Sequence, residues 1–552
     1  MDTDMEKTTN NSSKGTTIGE SSSGAQFQPV RASLPRPSSR ASTASRPRSI
    51  TRIRSQNGYG VDDPQEDEDE SKPEQNGQPE KNPFEVGWDG GDADPLNPRS
   101  FTKARKWMIT FIVAQASFCV TCASSIYTST YAQMESEFGN SRIVSTLGLS
   151  TFVLGIALGP MFFSPMSEFY GRRPIYLVAW TAYVIWIIPQ AVAKNIATVV
   201  VGRFLDGFAG STFLAVSGGT VGDLFSRDQL QAPMALFTIT PFLGPCAGPL
   251  IGGFINYNVH WRWTYYFQII WSVGLLAAIV FLVPETYHPI LLRNKARKLR
   301  NDSGDQRWIA PSEMVDKSVA RAVGQSLLRP FQLLIFEPMC LNLCIFSAIL
   351  LGTLYLFFGA FPLVFSRIHG FNLWQVGLTF LGMAVGLILG ALTDPVWHRI
   401  RANLTRALEA ETGVAGASEP EFRLPPVILG SVLVPAGIFM FGWSSYPSVH
   451  WIVPIIGSGI FGTGCLLAFM GIFTFLVDAY PLYAASALAA NAFARCIFAA
   501  AFPLFGNQMY EALGYQWASS LLAFLSVAMM PFPYIFFRYG KKIRRKSRYA
   551  KD

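Results

Sequence analysis

The sequence predicts an all-α membrane protein whose twelve transmembrane helices form two bundles of six. Three observations carry that expectation. Only 15% of the 552 residues are charged, while 50% are hydrophobic; soluble domains carry roughly 25% charged residues. The apolar residues gather into runs of the length a bilayer demands, about 20 residues each. A polar stretch at 284–337 then divides those runs six and six, the outline of two repeated halves.

Residues 1–105 come first and are rich in Ser, Pro, Thr and Arg. Such a composition buries too little to offset ordering entropy, so the segment is predicted to be a disordered cytoplasmic tail. A basic block at 31–54 precedes an acidic block at 62–70. Ser38-Ser39-Arg40-Ala41-Ser42 and Arg46-Pro47-Arg48-Ser49 have the pattern a basophilic protein kinase reads. A kinase is therefore one expected partner, and phosphorylation there would loosen contact with anionic lipid; a merely solvated tail is the alternative.

The first bundle is placed within 106–284, with spans at 107–131, 143–166, 174–193, 198–222, 233–257 and 263–283. A central loop occupies 285–337. The second bundle, 338–540, holds spans at 340–366, 374–397, 425–444, 449–477, 484–506 and 515–537, before a basic tail at 541–552. Residues 424–477 contain no Asp, Glu, Lys or Arg, and Ser444-Ser445-Tyr446-Pro447-Ser448 is the turn that makes two spans of them. With both termini inside, the inner loops hold sixteen Lys and Arg and the outer loops only Arg142, Lys194, Arg262 and Arg367. That asymmetry orients the chain. It also accounts for the net charge of +8 without nucleic acid. All seven cysteines fall in apolar runs with no zinc-type His partners, so Cys119 and Cys122 read as buried thiols. No metal site, cofactor site, nucleotide-binding motif or Ser/His/Asp set stands out. The expectation is a carrier rather than an enzyme, and not one driven by ATP.

Five places carry chemistry. Gly244-Pro245-Cys246-Ala247-Gly248-Pro249-Leu250-Ile251-Gly252-Gly253 lies in an uncharged run at 232–259. Its small residues thin the helix and its prolines free carbonyls, so a neighbouring helix must lie against it. The turn after span two holds Glu168, Gly171, Arg172 and Arg173, a charge cluster that one conformation makes and another breaks; simple basic anchoring is the alternative. Span four holds Arg203, Asp206 and Gly207. An intramembrane Arg must face the bundle interior or water, and Asp206 is one turn away, either for proton coupling or as a structural ion pair. In span eleven, Asn491 and Arg495 share a face; with Gln115, Tyr355 and Phe358 they make a candidate cavity, although rings in span seven also suit plain packing. Finally, Asp394 after span eight echoes the first-half turn. It is paired as a second-half gate with Asp478, which can alternatively cap span eleven. Trp261, Trp263, Tyr265, Tyr266 and Phe267 are expected to form an interfacial belt.

On these residues the chain resembles the major facilitator superfamily, and within it the fungal twelve-span drug:proton antiporters, the multidrug and polyamine exporters. The segment from Gly159 to Pro174 is similar to the loop 2–3 signature G-x-x-x-D-R-x-G-R-R, with Ser164, Glu168 and Phe169 departing from it. Arg203-Phe204-Leu205-Asp206-Gly207 is similar to the span-four motif, whose Arg is implicated in proton coupling. Gly244, Gly248, Pro249, Gly252 and Gly253 complete the span-five antiporter signature. The resemblance implies the major facilitator fold and proton-coupled export, by alternating access, of amphipathic drugs, fungicides or secondary-metabolite toxins. Alternatives are polyamine or endogenous-metabolite export, or a transport-dead sensor. It implies a monomer in the lipid bilayer, at the plasma or vacuolar membrane, with small molecules and protons as partners.

Overall fold

The computed structural model describes residues 84–226, 229–314, 319–414, 418–545, 547 and 549–550. The tail through residue 83, with its kinase-site pattern, lies outside the described residues. Every long element described is a helix, and the only strand pairing among the described residues is an isolated bridge between Glu85 and Ile309.

Span one runs Lys103–Ile126, tightens through Tyr127–Thr130 and ends with Tyr131–Phe138. Spans two to six are Arg142–Tyr170, Arg172–Ala191, Ile196–Ala215, Gln231–Asn258 and Arg262–Leu282; span four continues as Ser217–Leu224. Spans seven to ten are Pro338–Phe361, Leu373–Leu392, Pro425–Trp443 and Ile452–Ala479. Among the described residues, eleven helices are long and apolar enough to cross a membrane. The last of them is broken at Gly514, whose φ of 78° and ψ of 164° are not helical, and this break separates spans eleven and twelve. Helix starts follow local chemistry. Thr102 and Asn195 accept from the backbone N–H groups of Arg105 and Thr198, and Asn372 forms a capping box with Gln375. Ile270 and Phe281 of span six are 71% and 83% exposed, large apolar surfaces that suit lipid.

Span one packs on span five, two on four, and three on four and six. The second half repeats this with seven on eleven, eight on ten and nine on ten. The halves meet where five crosses eight and two crosses eleven, the pairing an internal repeat produces.

Three expectations are corrected. Span eight ends at Leu392, where the apolar run stops, and a separate surface helix, Asp394–Thr412, starts with Pro395 in its first turn. The central loop is largely helical, with His288–Ser303 and Val319–Phe336. The end of the expected disordered tail is ordered. Residues 84–102 lie as a strap along the central loop, with Val86 buried beside Ala296 and Ala310. Val86 N donates to Ile309 O at 3.0 Å, and Ile309 N to Phe84 O at 3.0 Å. Lys295 Nζ reaches Asp94 at 2.8 Å and Asp89 at 2.7 Å. The Lys295 hydrogen bond holds the Asp94 carboxyl below its ordinary value of 3.8. Burial works against the Lys295 charge, but the hydrogen bonds to Asp89 and Asp94 carry its pKa above 10.5. The strap escapes a composition argument because its few apolar residues pay off only against a partner surface remote in sequence.

The expected belt also divides. Trp263 is 54% exposed, whereas Trp261 is buried and donates through Nε1 to Glu137 at 2.6 Å. Arg262 joins the same carboxylate at 2.7 Å, tying the far end of span one to span six.

Candidate functional site

Gly244, Gly248 and Gly252 recur every four residues and so form one stripe along span five. The stripe lies directly on the backbone of span one. A Cβ at Gly244 would sit 2.8 Å from Cys122 N, one at Gly248 2.6 Å from Ile126 N, and one at Gly252 2.8 Å from Ile126 O. Gly253 turns the other way, where a Cβ would lie 2.8 Å from Leu373 O of span eight. Gly377 of span eight in turn leaves room for Leu250 Cα, which its own Cβ would meet at 3.1 Å. Span five is thus held, backbone to backbone, between a helix of its own half and a helix of the other.

The same turn of span one carries the second motif. Arg203 is fully buried, and its Nη2 donates to Ala123 O at 2.8 Å and Ser124 O at 3.2 Å. Its guanidinium lies 4.5 Å from the Tyr127 ring and 4.3 Å from Phe152, a cation–π sandwich. Asp206 Oδ2 stands 4.0 Å from Nη1 and accepts from Gln190 Nε2 at 3.4 Å. Gly207 lets span two approach; a Cβ there would lie 3.1 Å from Phe152 Cα. Arg203 Nε and Nη1, Asp206 Oδ1 and Gln190 Oε1 are buried with no protein hydrogen-bond partner. Such atoms are costly, and their concentration around one carboxylate leaves acceptors and donors for a mobile proton or water. Ser124 Oγ also meets Tyr355 OH of span seven at 2.9 Å. One turn, Thr121 to Ile126, therefore contacts the span-four arginine, the span-five glycines and the other half of the protein. Its only sequence signal was a run of small polar residues, Thr121-Cys122-Ala123-Ser124-Ser125, inside an apolar span.

At the turn after span two, Gly171 has a φ of 97°, a region that favours glycine. Glu285 fills the space a side chain there would take. It accepts from Arg172 N at 2.9 Å and Arg173 N at 3.1 Å, so a carboxylate caps the positive end of span three. Arg172 is buried; its Nε lies 3.3 Å from Asp223 Oδ2, and its guanidinium is 4.7 Å from the Tyr287 ring. Glu168 acts electrostatically on Arg172, and two further carboxylates, Asp223 and Glu285, meet Arg172 at this turn. Sequence reasoning missed both, because they come from the ends of spans four and six. Arg173 is exposed and donates to Val280 O at 3.0 Å.

In the second half, Asp478 pairs with Arg423 at 2.7 Å and Arg401 at 3.9 Å, so it ties the end of span ten to the turn before span nine and to the surface helix, and makes no cap bond to span eleven. Asp394 accepts from Gln231 Nε2 of span five at 3.0 Å, a polar bridge between the halves. Asn491 Nδ2 donates to Ser347 Oγ at 2.6 Å, and Arg495 lies over Phe473 and Phe469. Gln115 is half-buried on span one. Phe358 is 3% exposed and packs on Tyr355 and Phe380, among the aromatic rings of the second half.

Residues 113–503 match the Major Facilitator Superfamily. The chain belongs to the major facilitator superfamily. It is 55% identical to the efflux pump atB of Aspergillus terreus over 460 residues, 83% of this chain and 89% of that one. It is 41% identical to the probable drug/proton antiporter YHK8 of Saccharomyces cerevisiae over 480 residues, 86% and 91% of the two chains. Among solved structures it resembles the xylose transporter XylE from E. coli in a partially occluded inward open conformation. There the TM-score is 0.55 and the identity 14%, with 79% of this chain and 99% of that one covered, a likeness of fold. As a superfamily member, the chain is a multi-pass integral membrane transporter, and its two halves meet at the contacts of span five with eight and span two with eleven.

Proposed function

We propose that the chain is a proton-coupled exporter of amphipathic small organic molecules, working by alternating access at the plasma membrane with both termini cytoplasmic. The observation that carries this reading is the shared turn of span one. The bare glycine stripe of span five slides on one side of it, and Arg203 grips its carbonyls on the other. Protonation of Asp206 removes the charge 4.0 Å from Arg203, changes the pull on that turn, and so links a proton to the contact between halves. Glu285, Asp223 and Arg172 latch the basic end of the first half, and Asp394 with Gln231 and Asp478 with Arg401 and Arg423 do so in the second. Asn491, Arg495 and Gln115 line the path between the halves.

Support comes from relatives whose names describe efflux pumps and drug/proton antiporters, and from the basic loops, whose asymmetry favours cytoplasmic termini. The test is transport in reconstituted vesicles carrying a proton gradient, against dyes, azoles, polyamines and fungal metabolites. Gradient-driven movement that a protonophore abolishes is expected. Movement indifferent to the gradient, or none with any compound, overturns the proposal.

A further inference from the structure

We propose that Ser547 is a phosphorylation site for a basophilic protein kinase, and that phosphate there releases the C-terminal tail from the inner ends of the second half. The inference rests on the cytoplasmic termini of the exporter reading, but its test needs no transported substrate.

The tail is basic in sequence, yet acids of the second half fasten it. The helix Pro531–Arg544 ends in a turn holding Lys541, Lys542 and Arg544. Arg544 and Glu421 are both buried. Arg544 Nε donates to Glu421 Oε1 at 2.8 Å and its Nη2 to Oε2 at 2.9 Å, a two-pronged match of guanidinium and carboxylate. Lys541 Nζ lies 2.6 Å from Glu419 Oε1. The chain then turns back, with Ser547 N donating to Arg544 O at 2.8 Å. Ser547 Oγ donates to Glu337 Oε1 at 2.7 Å and accepts from Tyr549 N at 3.1 Å and Ala550 N at 2.8 Å. Tyr549 packs edge-on against Tyr483, with centroids 5.3 Å apart.

Glu337 gathers three elements. It is buried, directly precedes span seven, and accepts from Tyr480 OH at 3.3 Å, where span ten ends. The Ser547 hydroxyl thus ties the tail to spans seven and ten. Arg544 ties it to the turn before span nine.

Arg544, Arg545 and Ser547 stand in the pattern Arg-Arg-x-Ser. Basophilic kinases recognise such paired guanidiniums with acidic surfaces. In the reaction the terminal phosphorus of ATP gains a bond to Ser547 Oγ and loses its bond to the bridging oxygen. ADP leaves, and the hydroxyl proton passes to the kinase's base. The new group carries about −1.5 to −2 charges at pH 7. It lacks the hydrogen that Glu337 accepted, and it sets a second anion against a buried carboxylate. Like charge and the cost of burying it drive the tail off. The positive end of span seven favours an anion, but Glu337 already stands there, and Arg544 is already held by Glu421. The docked tail buries Arg544 and half-buries Ser547. The kinase therefore takes the undocked form, and phosphate prevents its return.

The test uses the full chain in lipid nanodiscs, which leave both membrane faces open. The probe is the catalytic subunit of cAMP-dependent protein kinase with MgATP, its activity verified on an Arg-Arg-x-Ser peptide. Mass spectrometry reads phosphate at each serine, and hydrogen exchange reads docking. Phosphate is expected on Ser547. Exchange over residues 541–550 should then rise at least about tenfold and fall back after phosphatase treatment. The kinase should not change exchange there in Ser547→Ala, which separates Ser547 from serines of the N-terminal tail. Glu421→Gln loosens Arg544 and should speed phosphorylation of Ser547 at least about threefold. If that variant does not assemble, the wild-type measurements decide. No phosphate on Ser547 of the wild type, or phosphate there with exchange unchanged or slowed, overturns the proposal. Absence of export in vesicles would overturn the exporter reading and leave each of these outcomes as it stands.

Discussion

Spans five and eleven hold equivalent places in the two halves but are built on opposite principles. Each packs on the first helix of its own half and crosses to the other half. Span five does so with bare backbone, since its glycines leave no gap a methyl group would fit. Span eleven does so with side chains: a Cβ on Gly506 would meet only Leu356, at 3.1 Å, and Phe502 covers Gly352. The first design is a bare helix face pressed on a neighbouring backbone. The second carries Asn491, bonded to Ser347 of span seven, and Arg495, lying over Phe473.

Gly248→Val attacks this contrast hardest. A valine side chain there meets Ser125 Oγ and, behind it, the backbone at Cys122 O and Ile126 N, which cannot turn aside, a cost of about 1–3 kcal/mol or more. Efflux per molecule in the membrane should fall at least about twentyfold; unchanged efflux means span five is not a close-packed rail. Arg203→Ala comes next. It strips the shared turn of two hydrogen bonds and leaves Asp206 without its cation, a loss of about 3–5 kcal/mol for a buried pair. Proton-driven export should vanish while protein still reaches the membrane, and normal efflux would remove Arg203 from the coupling.

Lys295→Ala tests whether the strap braces the first half alone. Hydrogen exchange should rise over residues 84–102, with span eleven unaffected. The pH behaviour follows from the shifted groups. Asp94 has its folded pKa lowered from 3.8, so its contribution is complete above that value and is lost as pH falls below it. Lys295 is raised from 10.5, so its contribution is complete below that value and is lost as pH climbs past it. The strap should stay protected from about pH 5 to 9 and open in acid. The smallest effect is expected for Gly506→Ala, where a flexible leucine can yield; efflux within about twofold of wild type is predicted. A collapse as large as that of Gly248→Val would erase the difference between the two seams.

Much of this was readable from the chain. Twelve passes, the break into halves and the span-five stripe follow from apolar length, charge placement and glycine spacing, all local properties. Arg203 with Asp206 was also readable, because a charge in a membrane must find a partner nearby. Two further partners of Arg172 were not. Glu168 was adjacent in sequence, but Asp223 and Glu285 also meet the arginine because the ends of spans four and six arrive there. The strap at 84–102 was invisible for the same reason, its apolar residues being too few to order without Ala296 and Ala310.

The sequence by itself determined which segments are long and apolar enough to cross a membrane and which helix must be pressed against a neighbour. Those depend on transfer costs and spacing along one chain. Only the tertiary structure decided that Thr121 to Ile126 is where the arginine of span four, the glycines of span five and Tyr355 of span seven converge. Convergence depends on which helix faces pack together, and small polar residues permit it without announcing it.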